Sequence, residues 1–294
     1  MNDVFPFLSQ RVFNTPLAIH PRKAEVALAA LAERLGVARI VRGGSGQPAA
    51  FDDRDDDLGF ADEARPYVGY DVVGGVACIQ VEGMLVQKLG SLRPWSGMTG
   101  YDGLRTNFLS ALADPEVRAI ALDLNSGGGE VAGCADLADT VYASRGVKPI
   151  WAICGDSAYS AAYWLASSCD RVTVPRTGGV GSVGVIAMVV DYSKAITASG
   201  LTVHFVHSGQ RKALELRQMH TGVEPELLAR LGEDIGAMAD LFIGTVARNR
   251  NLSADAVRAQ EADYFLGVRG VEMRLADAVM SPDEAFEELL ASLD

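Results

Sequence analysis

The sequence has no run of about eighteen uninterrupted apolar residues, which excludes a transmembrane helix read from hydropathy. Its opening, Met1-Asn-Asp-Val-Phe-Pro-Phe7, has neither the basic start nor the apolar core of an export signal, so a cytoplasmic, soluble protein without membrane contact is expected. Cysteine is sparse and scattered: Cys78, Cys134, Cys154 and Cys169 form no CxxC pair and sit in apolar surroundings. That excludes a structural metal and predicts reduced, buried thiols. Positive charge is also short. With a net charge of -12 and no clustered cationic stretch, nonspecific nucleic-acid binding is excluded, because phosphate contacts need a basic surface. The glycine cluster Gly178-Gly-Val-Gly-Ser-Val-Gly184 is not followed by GK[ST] and precedes an apolar run instead of a helix, which argues against a nucleotide cradle. The acidic run Asp52-Asp-Arg-Asp-Asp-Asp57 lacks the spaced ligand pattern of a calcium loop and reads as solvated. Neither a cofactor nor a metal is expected.

What remains is a chain long enough to bury a large core, with three compositional zones. Residues 1–36 form an N-terminal extension. In it Pro21 takes a first helical position, and Val26, Ala27, Ala30, Leu31 and Leu35 recur at helical spacing until Gly36. Residues 37–66, glycine-rich and then acidic, read as a flexible acidic linker. Residues 67–294 carry the regular patterning. Val76–Val81 and Met84–Val86 predict strands separated by a tight turn at Glu82-Gly83, and Leu104, Phe108 and Leu112 share one helix face.

From there strand 119–124, helix 130–144, strand 149–154, helix 158–168 and strand 171–174 alternate. Such alternation predicts an α/β fold with a mainly parallel core sheet flanked by helices. Val185–Val190 is expected as a buried strand, 193–199 as a helix and Leu201–Val206 as a strand. A long amphipathic helix follows at about 225–249, then a short helix capped by Ser253 and a final one starting at Ser281-Pro-Asp-Glu284.

The chemistry concentrates between Ala119 and Lys212. The apolar run Ala119–Leu124 breaks into Asn125-Ser-Gly-Gly-Gly129 before a helical pattern near Glu130, a way of presenting backbone N–H groups to developing negative charge. About thirty residues later, Gly155-Asp156 turns the chain into Ser157-Ala-Tyr-Ser160, placing hydroxyls at a helix start. A hydroxyl nucleophile needs a base. The histidines His204, His207 and His220, with Asp156 or Asp123 as orienting carboxylate, are one source. Lysine is the other: the chain has five, and Lys212 follows Gly209 just after a predicted strand. A lysine shielded from water sheds its charge and accepts a serine proton. Ser157 competes with Ser160 as nucleophile, although its position equally suits a helix N-cap, as does that of Asp156.

Four segments in order, Asn125-Ser-Gly-Gly-Gly129, Gly155-Asp-Ser-Ala-Tyr-Ser-Ala-Ala-Tyr163, Gly181-Ser-Val-Gly-Val185 and Ser208-Gly-Gln-Arg-Lys212, resemble the signal peptide peptidase A family of serine/lysine peptidases. The stretch from Ala262-Asp-Tyr-Phe-Leu-Gly267 to Asp277 resembles the family's closing segment. The resemblance covers roughly residues 72 to 280. Phe13-Asn-Thr-Pro-Leu-Ala-Ile-His-Pro21 is similar to the phage branch, the capsid or prohead proteases.

The resemblance implies a Clp protease/crotonase-like fold, Ser160 as nucleophile and Lys212 as general base. It also implies an oxyanion hole from Gly128, Gly129 and the N–H of Ala161. Many members have Gly-Gly after the serine where this chain has Ala161-Ala162, a change that keeps the backbone donors. Gly181, Ser182 and Val183 are expected to border an extended peptide substrate. The partners implied are capsid and scaffold proteins met inside a procapsid, and a ring-like homo-oligomer. Three alternatives share this fold: a bacterial signal-peptide-peptidase-like protease, a crotonase-type acyl-CoA enzyme with paired oxyanion donors, and a noncatalytic assembly factor.

Overall fold

The computed structural model describes residues 16–20, 68–191, 193–202, 204–209, 212, 214 and 222–293. The predicted helix after Pro21, the acidic linker and His220 lie outside the described residues. The strands are β1 (Leu17–Ile19), β2 (Asp71–Val73), β3 (Val76–Val86), β4 (Met98–Gly100), β5 (Ala119–Glu130), β6 (Ile150–Tyr159), β7 (Arg171–Val174), β8 (Gly179–Gly181), β9 (Tyr264–Leu266) and β10 (Ala278–Val279). The helices are α1 (Tyr101–Ala113), α2 (Cys134–Ala143), α3 (Ala161–Ser167), α4 (Ser193–Ala198), α5 (Pro225–Arg250), α6 (Ala254–Arg258), α7 (Val268–Glu272) and α8 (Pro282–Ala291). Among them none is long and apolar enough to cross a membrane.

The sheet runs β10-β7-β6-β5-β3-β2, parallel from β10 to β3, with β2 antiparallel at the edge. The expected α/β class, a mainly parallel sheet flanked by helices, is therefore what the chain adopts. Strands buried on both faces read as continuous apolar runs, which is why Ala119–Leu124 and Ile150–Cys154 are legible as strands. One face packs under Leu104, Phe108, Leu137, Trp164 and Phe242, and the other is closed by Ala285 and Leu289 of α8. Ser253 caps α6 by accepting from the Ala256 N–H, and Ser281 with Glu284 forms a reciprocal capping box on α8.

Four expectations fail. Glu82-Gly83 is not a turn: β3 runs through it as one strand, with a register shift between Glu82 and Met84. Gly83 absorbs the shift with φ +68°, at a spot where a Cβ would meet the Gly97 carbonyl oxygen at 2.1 Å. Asn125–Gly129 likewise does not turn into a helix at Glu130. It continues β5 as far as Glu130, because β3 pairs along one edge and β1 along the other, and α2 begins only at Cys134. Val185–Val190 is not a buried strand either. Apart from one bridge at Ile186, the segment joins no ladder, and among the described residues Leu201–Val206 joins none.

Helix α5 has the apolar stripe the periodicity predicts, but buries it unevenly: Leu227, Phe242 and Val246 are sealed, whereas Leu228 and Leu241 are half exposed. Its last turn is tied down electrostatically. The Arg250 guanidinium donates to both Asp277 oxygens at 3.0 and 2.7 Å, and Asp277 also accepts from the Val172 N–H at 2.7 Å. Burial alone would raise the Asp277 carboxyl; the Arg250 hydrogen bonds and charge, the Val172 N–H and Arg171 outweigh it and hold the group below its ordinary range. A carboxyl depressed in the folded state contributes stability that is full above its unfolded pKa and lost as pH falls through its folded one. Asp277→Asn should therefore cost about 2 kcal/mol at neutral pH, the low side for a buried pair because Asp277 is partly exposed. Thermal melts across pH 2 to 7 should show the deficit shrinking on the acid side.

Candidate active site

Ser160 stands where β6 ends and α3 begins. Its backbone is at φ 56° and ψ −121°, a region that non-glycine residues enter at a cost of about 1–3 kcal/mol. The strain is held from both sides. The Ser160 N–H donates to the Gly181 carbonyl at 2.8 Å, and the Ser160 carbonyl accepts from the Trp164 N–H at 2.9 Å.

Helix α3 itself is immobilised, since all seven of its residues are buried. Trp164 stacks on Phe242 with ring centroids 4.1 Å apart, the Tyr163 hydroxyl donates to the Leu275 carbonyl at 2.8 Å, and Asn249 donates to the Ser167 and Ser168 hydroxyls. At the far end Arg145 gathers the carbonyls of Ser167, Ser168 and Cys169, satisfying acceptors that the last helical turn leaves open. A serine at a strained strand-to-helix junction on so fixed a helix has its hydroxyl direction set by the fold.

The glycine strand closes over this serine. A Cβ placed on Gly128 would lie 3.0 Å from the Ser160 Cβ, 3.0 Å from the Ala161 nitrogen and 2.2 Å from the Ala18 carbonyl oxygen. Gly128 takes φ +100°, so both its conformation and its surroundings require glycine. Ser126 anchors the strand: its hydroxyl donates to the Gly83 carbonyl at 2.6 Å and accepts from the Gly128 N–H at 3.1 Å. Gly129 abuts β3 so closely that a Cβ would meet the Leu85 carbonyl oxygen at 1.9 Å. Ser160 is only 1% exposed, and its hydroxyl donates to the Gly184 carbonyl at 3.4 Å.

Ser160, Gly128, Gly129, Ala161 and the 181–184 segment are thus brought together. Lys212 is not among them. It is exposed in a turn where its N–H donates to the Gly209 carbonyl at 3.2 Å, and among the described residues no hydrogen bond joins its amine to Ser160. His204 and His207 are exposed as well. Ser157 does not cap a helix. It lies inside β6, 2% exposed, its hydroxyl 3.4 Å from the Asn125 side-chain oxygen, because β6 extends to Tyr159 through its pairing with β8. The glycines at 178, 179 and 181 admit close approach by the chain's own atoms: the Asp156 carbonyl, the Tyr159 hydroxyl and the Asp263 carbonyl.

One neighbour of the site escaped the sequence reading. His20 is buried, tilted against Tyr159 and edge-on to Tyr264 with ring centroids 4.8 Å apart in each case. It also walls a cavity of about 650 Å³ shared with Ser182, Ala262, Asp263 and Tyr264. It lies within the Phe13–Pro21 stretch that resembles the phage branch, but the three-residue apolar run Leu17–Ile19 before it is too short to stand as a strand by periodicity.

A strained serine facing a glycine strand and a helix-start N–H defines a class of site, and residues 143–293 match the model of peptidase family S49. The chain belongs to that family. It is 37% identical over 286 residues to the head-tail preconnector protein GP5 of Enterobacteria phage P21, covering 96% of this chain and 56% of that protein. It is 31% identical over 292 residues to the capsid assembly protease C of Escherichia phage lambda, covering 98% of this chain and 66% of that protein. The chain thus spans between half and two thirds of the length of these curated relatives. Among solved structures, an enoyl-CoA hydratase from Shewanella pealeana aligns over 76% of this chain and 72% of its own at TM-score 0.48 and 11% identity.

Proposed function

We propose that the chain is a serine endopeptidase that acts on capsid and scaffold proteins during phage capsid maturation. Ser160 is the nucleophile and Lys212 the general base. The Gly128-Gly129 strand and the Ala161 N–H form the oxyanion hole, and Gly181, Ser182 and Val183 border the bound peptide. The observation that carries this reading is the convergence of Ser160, Gly128 and the Ala161 nitrogen at one point. An attacking hydroxyl there would raise a tetrahedral oxyanion beside the Ala161 N–H, with the Gly128 N–H available once it turns from the Ser126 hydroxyl. Membership of the peptidase family and the name of the lambda relative support the reaction and the setting.

Because Lys212 is exposed while Ser160 is sealed, catalysis requires Lys212 to turn inward, bringing its amine to the hydroxyl and out of water. No cofactor or metal enters this mechanism. We further propose a homo-oligomer whose sites face a sheltered interior, with residues 67–294 as the peptidase domain behind the 1–36 extension and the 37–66 linker. The test is covalent labelling with a fluorophosphonate, followed by peptide mapping and by mass spectrometry of a capsid or scaffold protein incubated with the chain. The expected result is one adduct on Ser160 and discrete cleavage products. An adduct on Ser157, or intact protein after prolonged incubation with a labelled enzyme control, would refute it.

A further inference from the structure

β1 fills the gap beside the glycine strand. Beyond Ser126 the strands β5 and β6 part, β6 leading into Ser160 and β5 running on through the glycines. Into the gap comes Leu17–Ile19, paired antiparallel with β5 in the register Leu17 with Glu130, Ala18 with Gly129 and Ile19 with Gly128. The pairing extends at both ends, the His20 N–H donating to the Gly127 carbonyl at 2.7 Å and the Val131 N–H to the Pro16 carbonyl at 3.3 Å. The other edge of the short strand is filled too: Leu17 exchanges two backbone hydrogen bonds of 2.8 Å with Ile186. An extended peptide held on both edges by main-chain bonds is the geometry of strand addition, which binds backbone first and reads alternate side chains second. Within that register the Ala18 carbonyl oxygen lies 2.2 Å from a Cβ placed on Gly128, closer than the Ala161 nitrogen or the Ser160 Cβ, each at 3.0 Å.

Building on the peptidase reading, we propose that Pro16–His20 is a resident occupant of the peptide cleft. It is seated as a substrate would be, with the Ala18 carbonyl presented to Ser160, and an extended protein segment binds only after this strand peels away. The sealed Ser160 and the exposed Lys212 fit a latent arrangement of this kind. An occupied cleft weakens the apparent affinity for an incoming peptide by the fraction of molecules in which the strand is displaced.

A disulfide lock tests this. Directly opposed residues of a hydrogen-bonded antiparallel pair stand about 5.5 Å apart at Cα, within disulfide reach. Leu17→Cys combined with Ile186→Cys should therefore cross-link on oxidation. Binding of a fluorescently labelled synthetic peptide with the sequence of residues 13–24 is followed by anisotropy in the Ser160→Ala background, and cleavage of the same peptide is followed with Ser160 intact. Oxidation should weaken binding at least tenfold, and reductant should restore it. Ala18→Asp, which puts a carboxylate at a fully buried position, should expel the strand and tighten binding several-fold where circular dichroism shows a folded protein. A cross-linked protein that binds the peptide as well as the reduced one overturns the proposal. Peptide that binds only the reduced form, yet is never cut by the Ser160 enzyme, refutes the peptidase reading and leaves the occupied cleft standing.

Discussion

Ser160→Ala is expected to abolish fluorophosphonate labelling and to reduce peptide cleavage by at least about 10⁴-fold, with the fold unchanged. The backbone at residue 160 is held by hydrogen bonds to Gly181 and Trp164 that an alanine keeps, so the thermal midpoint should not move appreciably. Lys212→Ala should match the loss of cleavage, again without destabilisation, since the side chain is exposed in the described conformation. The double variant should be no worse than either single one, the mark of two groups acting as a unit. Ser157→Ala should remain active, because its hydroxyl lies inside β6 against Asn125. The decisive measurement is steady-state cleavage of one fluorogenic peptide by all four variants. Loss of activity in Ser157→Ala with full activity in Ser160→Ala would reverse the assignment, and equal loss in His204→Ala or His207→Ala would replace the lysine base.

Gly128→Val should be nearly as damaging by a different route. The added Cβ falls 2.2 Å from the Ala18 carbonyl oxygen and 3.0 Å from both the Ser160 Cβ and the Ala161 nitrogen, and φ +100° is a conformation that a β-branched residue resists. Expelling β1 does not cure the clash, since the same Cβ intrudes on the position an incoming carbonyl must take. Cleavage should drop by about 10²–10³-fold, the scale seen when oxyanion stabilisation is lost. Backbone strain should lower stability by about 1–3 kcal/mol. Gly146→Ala serves as the control. It has a similar φ of +83° but open space around it, so it should lose stability and keep activity. A folded Gly128→Val protein with unimpaired turnover would remove the glycine strand from the site.

The contrast between what could and could not be read from the residues follows the range of the interactions. α1, α5 and α8 were legible because their apolar spacing and, for α8, a capping box act within a few residues of one another. The motif around Ser160 was legible as a strand-to-helix junction, but its boundary was misplaced by three residues. Ser157 has the composition of an N-cap, yet β8 pairs with Ser157–Tyr159 and draws them into the ladder. Similarly, Asn125–Gly129 has the composition of a turn. A glycine run adopts whatever conformation its neighbours impose, and here β3 and β1 impose a strand. Lys212 was singled out by scarcity and order along the chain, neither of which fixes where an exposed side chain points.

By itself the sequence determined the local chemistry of this protein. It supplied an alternating strand and helix pattern that yields a parallel sheet, glycines at the one strand that must approach a serine closely, and too few lysines and histidines to leave many bases. Those are short-range facts of side-chain volume, period and backbone freedom. Only the tertiary structure decided which edges meet. The union of β1 with β5 and Ile186 joins residues more than a hundred positions apart, through hydrogen bonds that any backbone can make. Main-chain pairing carries almost no residue code, so the strand lying against Gly128 could be seen only once the sheet had closed around it.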